Sequence, residues 1–222
     1  MTSILQNSMG HLYGTGIELQ TEGMFPAWLD QRGSRIMGGL IRLDGTIGTH
    51  KIYDIYADDY IRTGTMCSIG DKKELTPIPT YRILSAIDST ATKVIIANWF
   101  GLAKLIDGLK ISNPDDETKS ITINTNTTNG NTKINADGNY EVTITAGQLG
   151  TILGDALIAE DARVLDPFGL TKNNLDSRGV KNKIGHSFNV TLIDEGRILE
   201  YMVASVPTSY KRNYLQTLKF EK

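Results

Sequence analysis

Ile61-Arg62-Thr63-Gly64-Thr65-Met66-Cys67-Ser68-Ile69 alternates apolar and small polar residues at a spacing of two and breaks at Gly70-Asp71-Lys72-Lys73, which reads as a strand entering a charged turn. Pro77-Ile78-Pro79 follows, a segment that can be neither helical nor a donor to a central ladder. Tyr81-Arg82-Ile83-Leu84-Ser85-Ala86-Ile87 and Val94-Ile95-Ile96 are the next two strand candidates, so the run predicts a small antiparallel sheet. Trp99, Leu102, Ala103, Leu105, Ile106 and Leu109 then recur at helical spacing until Gly108 and Pro114 stop the pattern, predicting an amphipathic helix that covers the sheet. The fold class expected from this unit is α+β, mainly antiparallel β with one or two short amphipathic helices and an extended N-terminal arm.

Working outward, residues 1–50 are punctuated by glycine, with short apolar clusters such as Met24-Phe25-Pro26-Ala27-Trp28-Leu29 between the punctuation marks. Phe25, Trp28, Ile36, Met37, Leu40 and Ile41 are too apolar for a segment that stays solvated, so the expectation is an extended arm that orders against a partner. Gly38-Gly39-Leu40-Ile41-Arg42-Leu43-Asp44-Gly45 and Lys51-Ile52-Tyr53-Asp54-Ile55-Tyr56 read as short strands. Asp58-Asp59 invites a metal or acid–base role. With no His or third acidic residue nearby in sequence, a solvated turn is the better reading.

Beyond residue 113 the composition shifts to Thr, Asn, Ile and Val, and Asn129-Gly130 and Asp137-Gly138 stand where tight turns would close two successive hairpins. The asparagines at 124, 126, 129 and 131 lack the carboxylates of a calcium loop and read as polar cross-strand ladders. A faint internal echo aligns Val94 with Val142, Ile96 with Ile144, Leu105 with Leu153 and Leu109 with Leu157, each half reading as strand then helix. Near the C-terminus, Ser187-Phe188-Asn189-Val190-Thr191-Leu192-Ile193 and the apolar run from Arg197 flank Asp194-Glu195-Gly196, which predicts a hairpin. Tyr210, Lys211, Arg212, Tyr214, Lys219 and Lys222 interleave bases with aromatics, and an edge strand guarded by lysines is preferred to a single-strand nucleic-acid site. The chain thus divides into a Gly-rich arm (1–50), a first β module with its helix (51–112), Asn/Thr-rich hairpins with a second helix (113–184) and a C-terminal hairpin and tail (185–222).

Composition narrows the functional classes. The 222 residues hold 23 Lys plus Arg against 25 Asp plus Glu, so no strongly basic face is expected and nucleic-acid binding is disfavoured. Cys67 is the single cysteine, which excludes an intrachain disulfide and a Cys-rich zinc site, and inside a strand it reads as a buried structural thiol. His11, His50 and His186 stand apart, and neither a His-Glu-X-X-His, a Gly-X-Ser-X-Gly nor a phosphate loop is present. The chain therefore reads as no enzyme, with no cofactor and no metal. No basic leader followed by an apolar core opens the chain and no run is apolar enough to span a bilayer, so no membrane partner is expected and assembly inside a cell is.

The stretch at 61–79, with Gly64-Thr65, the charged turn and Pro77 ahead of a strand ending Ala86-Ile87-Asp88, resembles the small β domains of tailed-phage head decoration proteins and head-fibre bases. The Asn/Thr-rich hairpins and Gly-rich arm are similar in composition to virion proteins of crAss-like phages. That resemblance implies an auxiliary or decoration capsid subunit that docks on the lattice, in contact with the major capsid protein or other virion proteins, assembled in the host bacterial cytoplasm and located in the virion. The long arm and the extra C-terminal segment depart from the compact decoration pattern and leave the place on the particle open, a neck or tail ring component being the alternative. Phe25, Trp28, Tyr53, Tyr56, Tyr210 and Tyr214 are the expected interface anchors, because aromatics dominate such contacts. From another class, scattered Trp and Tyr with polar hairpins would suit a carbohydrate-binding module.

Overall fold

The structure, a computed structural model, describes residues 28–30, 36–42, 46–47, 50–56, 60–71, 74–98, 103–124, 132–145, 156–159, 162–163, 165–177, 187–200, 203 and 206–221. Among them are nineteen strands and two short helices, so the protein is mainly β. Phe25, Asp58-Asp59, Asn129-Gly130 and the first 27 residues of the expected arm lie outside the described residues.

A five-stranded closed barrel is built from β2 (Ile36–Arg42), β6 (Met66–Ile69), β7 (Glu74–Pro77), β15 (Gly169–Thr171) and β17 (Ser187–Ile193). Its longest ladder runs antiparallel from Ile36 opposite Ile193 to Arg42 opposite Ser187, while β2 meets β7 in parallel, Ile41 opposite Leu75. This places part of the expected arm inside the chain's own sheet. In β2 the period of two is visible in burial, Ile41 being fully buried while Leu40 is 41% exposed. From Met66 onward the 61–79 stretch enters this barrel as a β6–β7 hairpin, Cys67 lying opposite Pro77, and Gly70 N–H donates to Glu74 O at 2.8 Å across the turn. The strand that returns from the charged turn is therefore Glu74–Pro77 and not the expected run at 81–87. Pro77 has no N–H to give. The next residue supplies the bond, Ile78 N–H to Met66 O at 2.8 Å.

Between β7 and β15 the chain builds a second ring. β8 (Thr80–Arg82), β10 (Lys110–Asn113), β11 (Asp116–Thr122) and β14 (Ala156–Ala159) form one sheet in the order β11-β10-β14-β8. β9 (Lys93–Ile96), β12 (Lys133–Ile134) and β13 (Tyr140–Thr143) form another in the order β12-β13-β9. Single bridges, Ile83 to Ile96 and Ile123 to Ile144, join the two sheets at both margins, so β8, β9, β13, β11, β10 and β14 follow one another around a closed circuit. The circuit is two-fold in its pairing. Val94 lies opposite Val142 on one wall, and Ser112 opposite Ile158 on the other. The margins repeat as well: Leu84 N–H donates to Ile95 O and Ala97 N–H to Arg82 O, just as Asn124 N–H donates to Thr143 O and Thr145 N–H to Thr122 O. The echo between Val94 and Val142 and between Ile96 and Ile144 is thus a real structural correspondence. In each half the third strand, β10 or β14, pairs with the first strand of the other half, so the halves interlock. Tyr81, Ile83, Val94, Ile96, Ile121 and Ile123 are among the buried residues of this ring.

Several local expectations are corrected. The three strands read as one small sheet are distributed, β6 to the barrel and β8 and β9 to the two sheets of the ring. Lys51-Ile52-Tyr53-Asp54-Ile55-Tyr56 is not a strand beyond β4 (His50–Lys51), whose partner is β3 (Thr46–Ile47); α1 (Ile52–Tyr56) takes over because Ile52, Ile55 and Tyr56, three and four apart, bury one helical face. The helix expected through Leu109 is absent over residues 103–109. There Lys104 N–H is bonded to Ile55 O at 2.9 Å and Gly108 N–H to Ile123 O at 2.9 Å, so the donors a helix needs are committed to distant carbonyls. The second expected helix likewise gives way to β14 at its end. The Asp137-Gly138 hairpin forms as expected between β12 and β13, with Gly138 at φ +81°. The hairpin at 194–196 does not: β17 pairs with β15 and β2, whereas β18 (Gly196–Leu199) crosses to a separate sheet between β1 (Trp28–Asp30) and β19 (Leu218–Glu221), parallel to the latter.

β5 (Tyr60–Ile61) pairs with β16 (Leu175–Asp176), and the loop that follows β5 is laced to the end of β15. Thr63 N–H donates to Asn174 Oδ1 at 2.6 Å, Gly64 N–H to Thr171 O at 2.7 Å and Thr65 N–H to Thr171 Oγ1 at 3.1 Å. The Thr171 hydroxyl in turn donates to Arg62 O at 2.8 Å. These buried polar groups supply one another's partners, which is the condition for burying them at low cost.

Candidate functional site

A concave feature that gathers side chains of mixed chemistry lies where the barrel meets the C-terminal segment, and its cavity is about 510 Å³. Among the described residues four separate stretches line it: Ile69 at the end of β6, Asp166-Pro167-Phe168 before β15, Asp194 after β17, and Asn213, Tyr214, Gln216 and Thr217 at and beyond the end of α2 (Thr208–Asn213). The C-terminal run is held in place from several sides. Ser209 N–H donates to Asp115 Oδ1 at 3.0 Å, Lys211 pairs with Glu200 and stands 4.9 Å over the Phe220 ring, and Arg197 Nε donates to Glu221 Oε1 at 2.7 Å. Thr217 Oγ1 donates to Asp194 O, tying the rim directly to the barrel.

Tyr210 and Tyr214 sit one helical turn apart with ring centroids 5.6 Å apart and planes at 83°, an edge-to-face contact. Burial, with Tyr214 and nearby carboxylates adding to it, pushes the Tyr210 phenol up to about 12. The Tyr214 phenol is hydrogen-bonded to Asp166, and that bond, with the charge of the same carboxylate, raises its pKa above the ordinary tyrosine value. The cleft is therefore walled by a neutral, oriented phenol.

Of the expected anchors whose burial is described, Tyr56 and Tyr210 are buried in the chain's own core, and Tyr214, 44% exposed, offers a ring at the surface. Trp28 lies in β1 and Tyr53 in α1. Asp166, Asn213 and Gln216 carried no sequence signal, since the cleft is assembled from residues far apart in the chain.

Burial also raises the Tyr56, Tyr81 and Cys67 groups, Tyr56 being affected by the other two as neighbours. A buried thiol with a raised pKa is a poor nucleophile. At pH 8 the native protein is expected to leave Ellman's reagent unreacted and to release one thiol per chain after denaturation, since Cys67 is the single cysteine. Rapid reaction of the native chain would show that the site around Cys67 opens to solvent. Among the described residues no group of three or more His, Cys, Asp or Glu side chains is placed to hold a metal ion, and no helix is long and apolar enough to cross a membrane. The chain matches no protein-family model, no curated protein sequence and no solved structure.

Proposed function

We propose that this chain is a structural virion protein of a tailed phage, an auxiliary or decoration subunit that docks on the capsid lattice and contacts the major capsid protein or other virion proteins. The observation that carries the reading is the stretch at 61–79. The charged turn and Pro77, two features of the resemblance to decoration proteins, belong to the β6–β7 hairpin of a closed barrel, and Gly64-Thr65 stands in the loop that leads into β6. A subunit of this kind needs a stiff body and exposed edges rather than a reacting centre. Ile134, 65% exposed on β12 at the margin of its sheet, and Leu40 on the barrel wall are the apolar contacts such a body presents.

Native lysate from the source, separated on a density gradient and probed by immunoblot, tests the assignment. The expected result is co-sedimentation of this chain with large nuclease-resistant particles. Recovery only in the slow fractions would overturn the capsid role. Immunogold labelling of the particles then separates a capsid location from the neck or tail ring.

A further inference from the structure

We propose that the cleft between the barrel and the C-terminal segment binds an uncharged saccharide, with the exposed ring of Tyr214 as its stacking platform and Asp166, Asn213 and Gln216 as its hydroxyl-binding rim. The inference stands on the cleft alone and does not rest on the virion assignment.

Size comes first. A cavity of about 510 Å³ is of small-molecule dimensions, whereas a protein partner would engage a broad surface. Charge comes next. Among the described residues the lining contains the carboxylates of Asp166 and Asp194 and no Lys, Arg or His, so a phosphate, a nucleotide or an acidic sugar would enter against like charge. A bare metal ion is equally disfavoured, because among the described residues the cleft offers two carboxylates and no third such ligand beside them.

The remaining chemistry fits a ring that is apolar on one face and hydroxylated at its edge. The Tyr214 ring is fixed from below by the edge-to-face contact with Tyr210 and at its tip by Asp166, so little ordering of the aromatic platform is needed on binding. Ile69, Pro167 and Phe168 add an apolar floor to take the C–H face of a sugar. Asn213 and Gln216, both exposed at the rim, each carry a carbonyl acceptor and an amide donor, and Asp166 adds further acceptor oxygens. Vicinal hydroxyls, each a donor and an acceptor, match that set, and a purely apolar ligand would leave it unpaired.

The test uses the full chain on an array of neutral oligosaccharides with hexose, N-acetylhexosamine and deoxyhexose termini, followed by calorimetric titration of the strongest binder. The expected result is binding that weakens at least tenfold in Tyr214→Ala and in Asp166→Asn, while Lys93→Ala, a surface change on β9, leaves it unchanged. Tyr214 and Asp166 are exposed, so both variants are expected to unfold cooperatively within a few degrees of wild type, roughly the cost of one aromatic contact, which separates lost recognition from lost fold. No array signal above the Tyr214→Ala background, or a signal that both variants retain, would overturn the proposal.

Discussion

Gly64→Ala is expected to lower stability by about 3 kcal/mol, the sum of about 1–2 kcal/mol for an L side chain in the left-handed region and about 1–3 kcal/mol for forced overpacking. Gly64 has φ +82°, and a Cβ there would lie 2.4 Å from Val203 Cγ1, 2.7 Å from its Cβ and 3.2 Å from its backbone Cα. Val203 is itself fully enclosed, and its Cα cannot swing aside as a side-chain tip can. The loop cannot retreat either, because Thr63, Gly64 and Thr65 all donate backbone N–H groups to the Thr171–Asn174 turn. Gly138→Ala provides the control. Gly138 has nearly the same φ, +81°, yet nothing lies within 4 Å of its added Cβ, so it should show the conformational cost alone, about 1–2 kcal/mol. Urea midpoints of the two variants against wild type measure the difference. Equal losses would mean that Val203 does not press on the loop.

That loop shows what the chain reveals locally and what it conceals. The alternation at 61–69 and the turn at 70–73 mark a strand and its end, and the structure places β6 there over Met66–Ile69, while the return is made by β7 rather than by the run at 81–87. Asp137-Gly138 likewise specifies its own turn, since a positive φ is needed at a fixed position and glycine supplies it. Partners across the fold are another matter. The alternating runs around Asp194-Glu195-Gly196 have the composition of a hairpin, but a bend between two strands of different sheets has that composition too, and here the ladders of β17 and β18 go to β2 and β19. Short elements carry a second ambiguity. Over Ile52 to Tyr56 the apolar residues satisfy both a period of two and a spacing of three and four, and the backbone took the helix that buries Ile52, Ile55 and Tyr56 together. Apolar periodicity at 103–109 misled in the opposite direction, because burial of Ala103 and Leu109 was achieved without helical bonds.

The candidate cleft was almost illegible for the same reason. Tyr214 was singled out as an aromatic among bases, but its carboxylate and amide neighbours come from residues 166, 213 and 216, which meet only because α2 and β19 are tied to β18 and the barrel. By contrast the internal echo was legible, and its meaning is physical. Two copies of a three-strand unit that exchange their third strands pair β10 with β11 and β14 with β8, which covers edges that a single copy would expose and leaves β12 at a sheet margin.

Ile96→Ala and Ile144→Ala are expected to lower stability by similar amounts, each about 2–5 kcal/mol, as deletion of a large buried aliphatic group does. Both side chains are enclosed, at 0% and 2% exposure. Each stands at a margin where a single bridge closes the circuit, Ile96 with Ile83 and Ile144 with Ile123, and each bridge is flanked by two backbone bonds of 2.8–2.9 Å. If the two margins are equivalent, the cavities left behind have corresponding walls and relax to a similar degree. The two urea midpoints should then agree to within about 1 kcal/mol, with unchanged m values, because neither substitution alters the surface exposed on unfolding by much. Leu40→Ala on the outer wall of the other barrel should shift the midpoint by about 0.5 kcal/mol or less, as surface changes do. A large loss at Ile96 beside a small one at Ile144 would show that the circuit is closed by one margin and only touched by the other. The pairing two-fold would then describe the backbone alone and not the way the ring is held together.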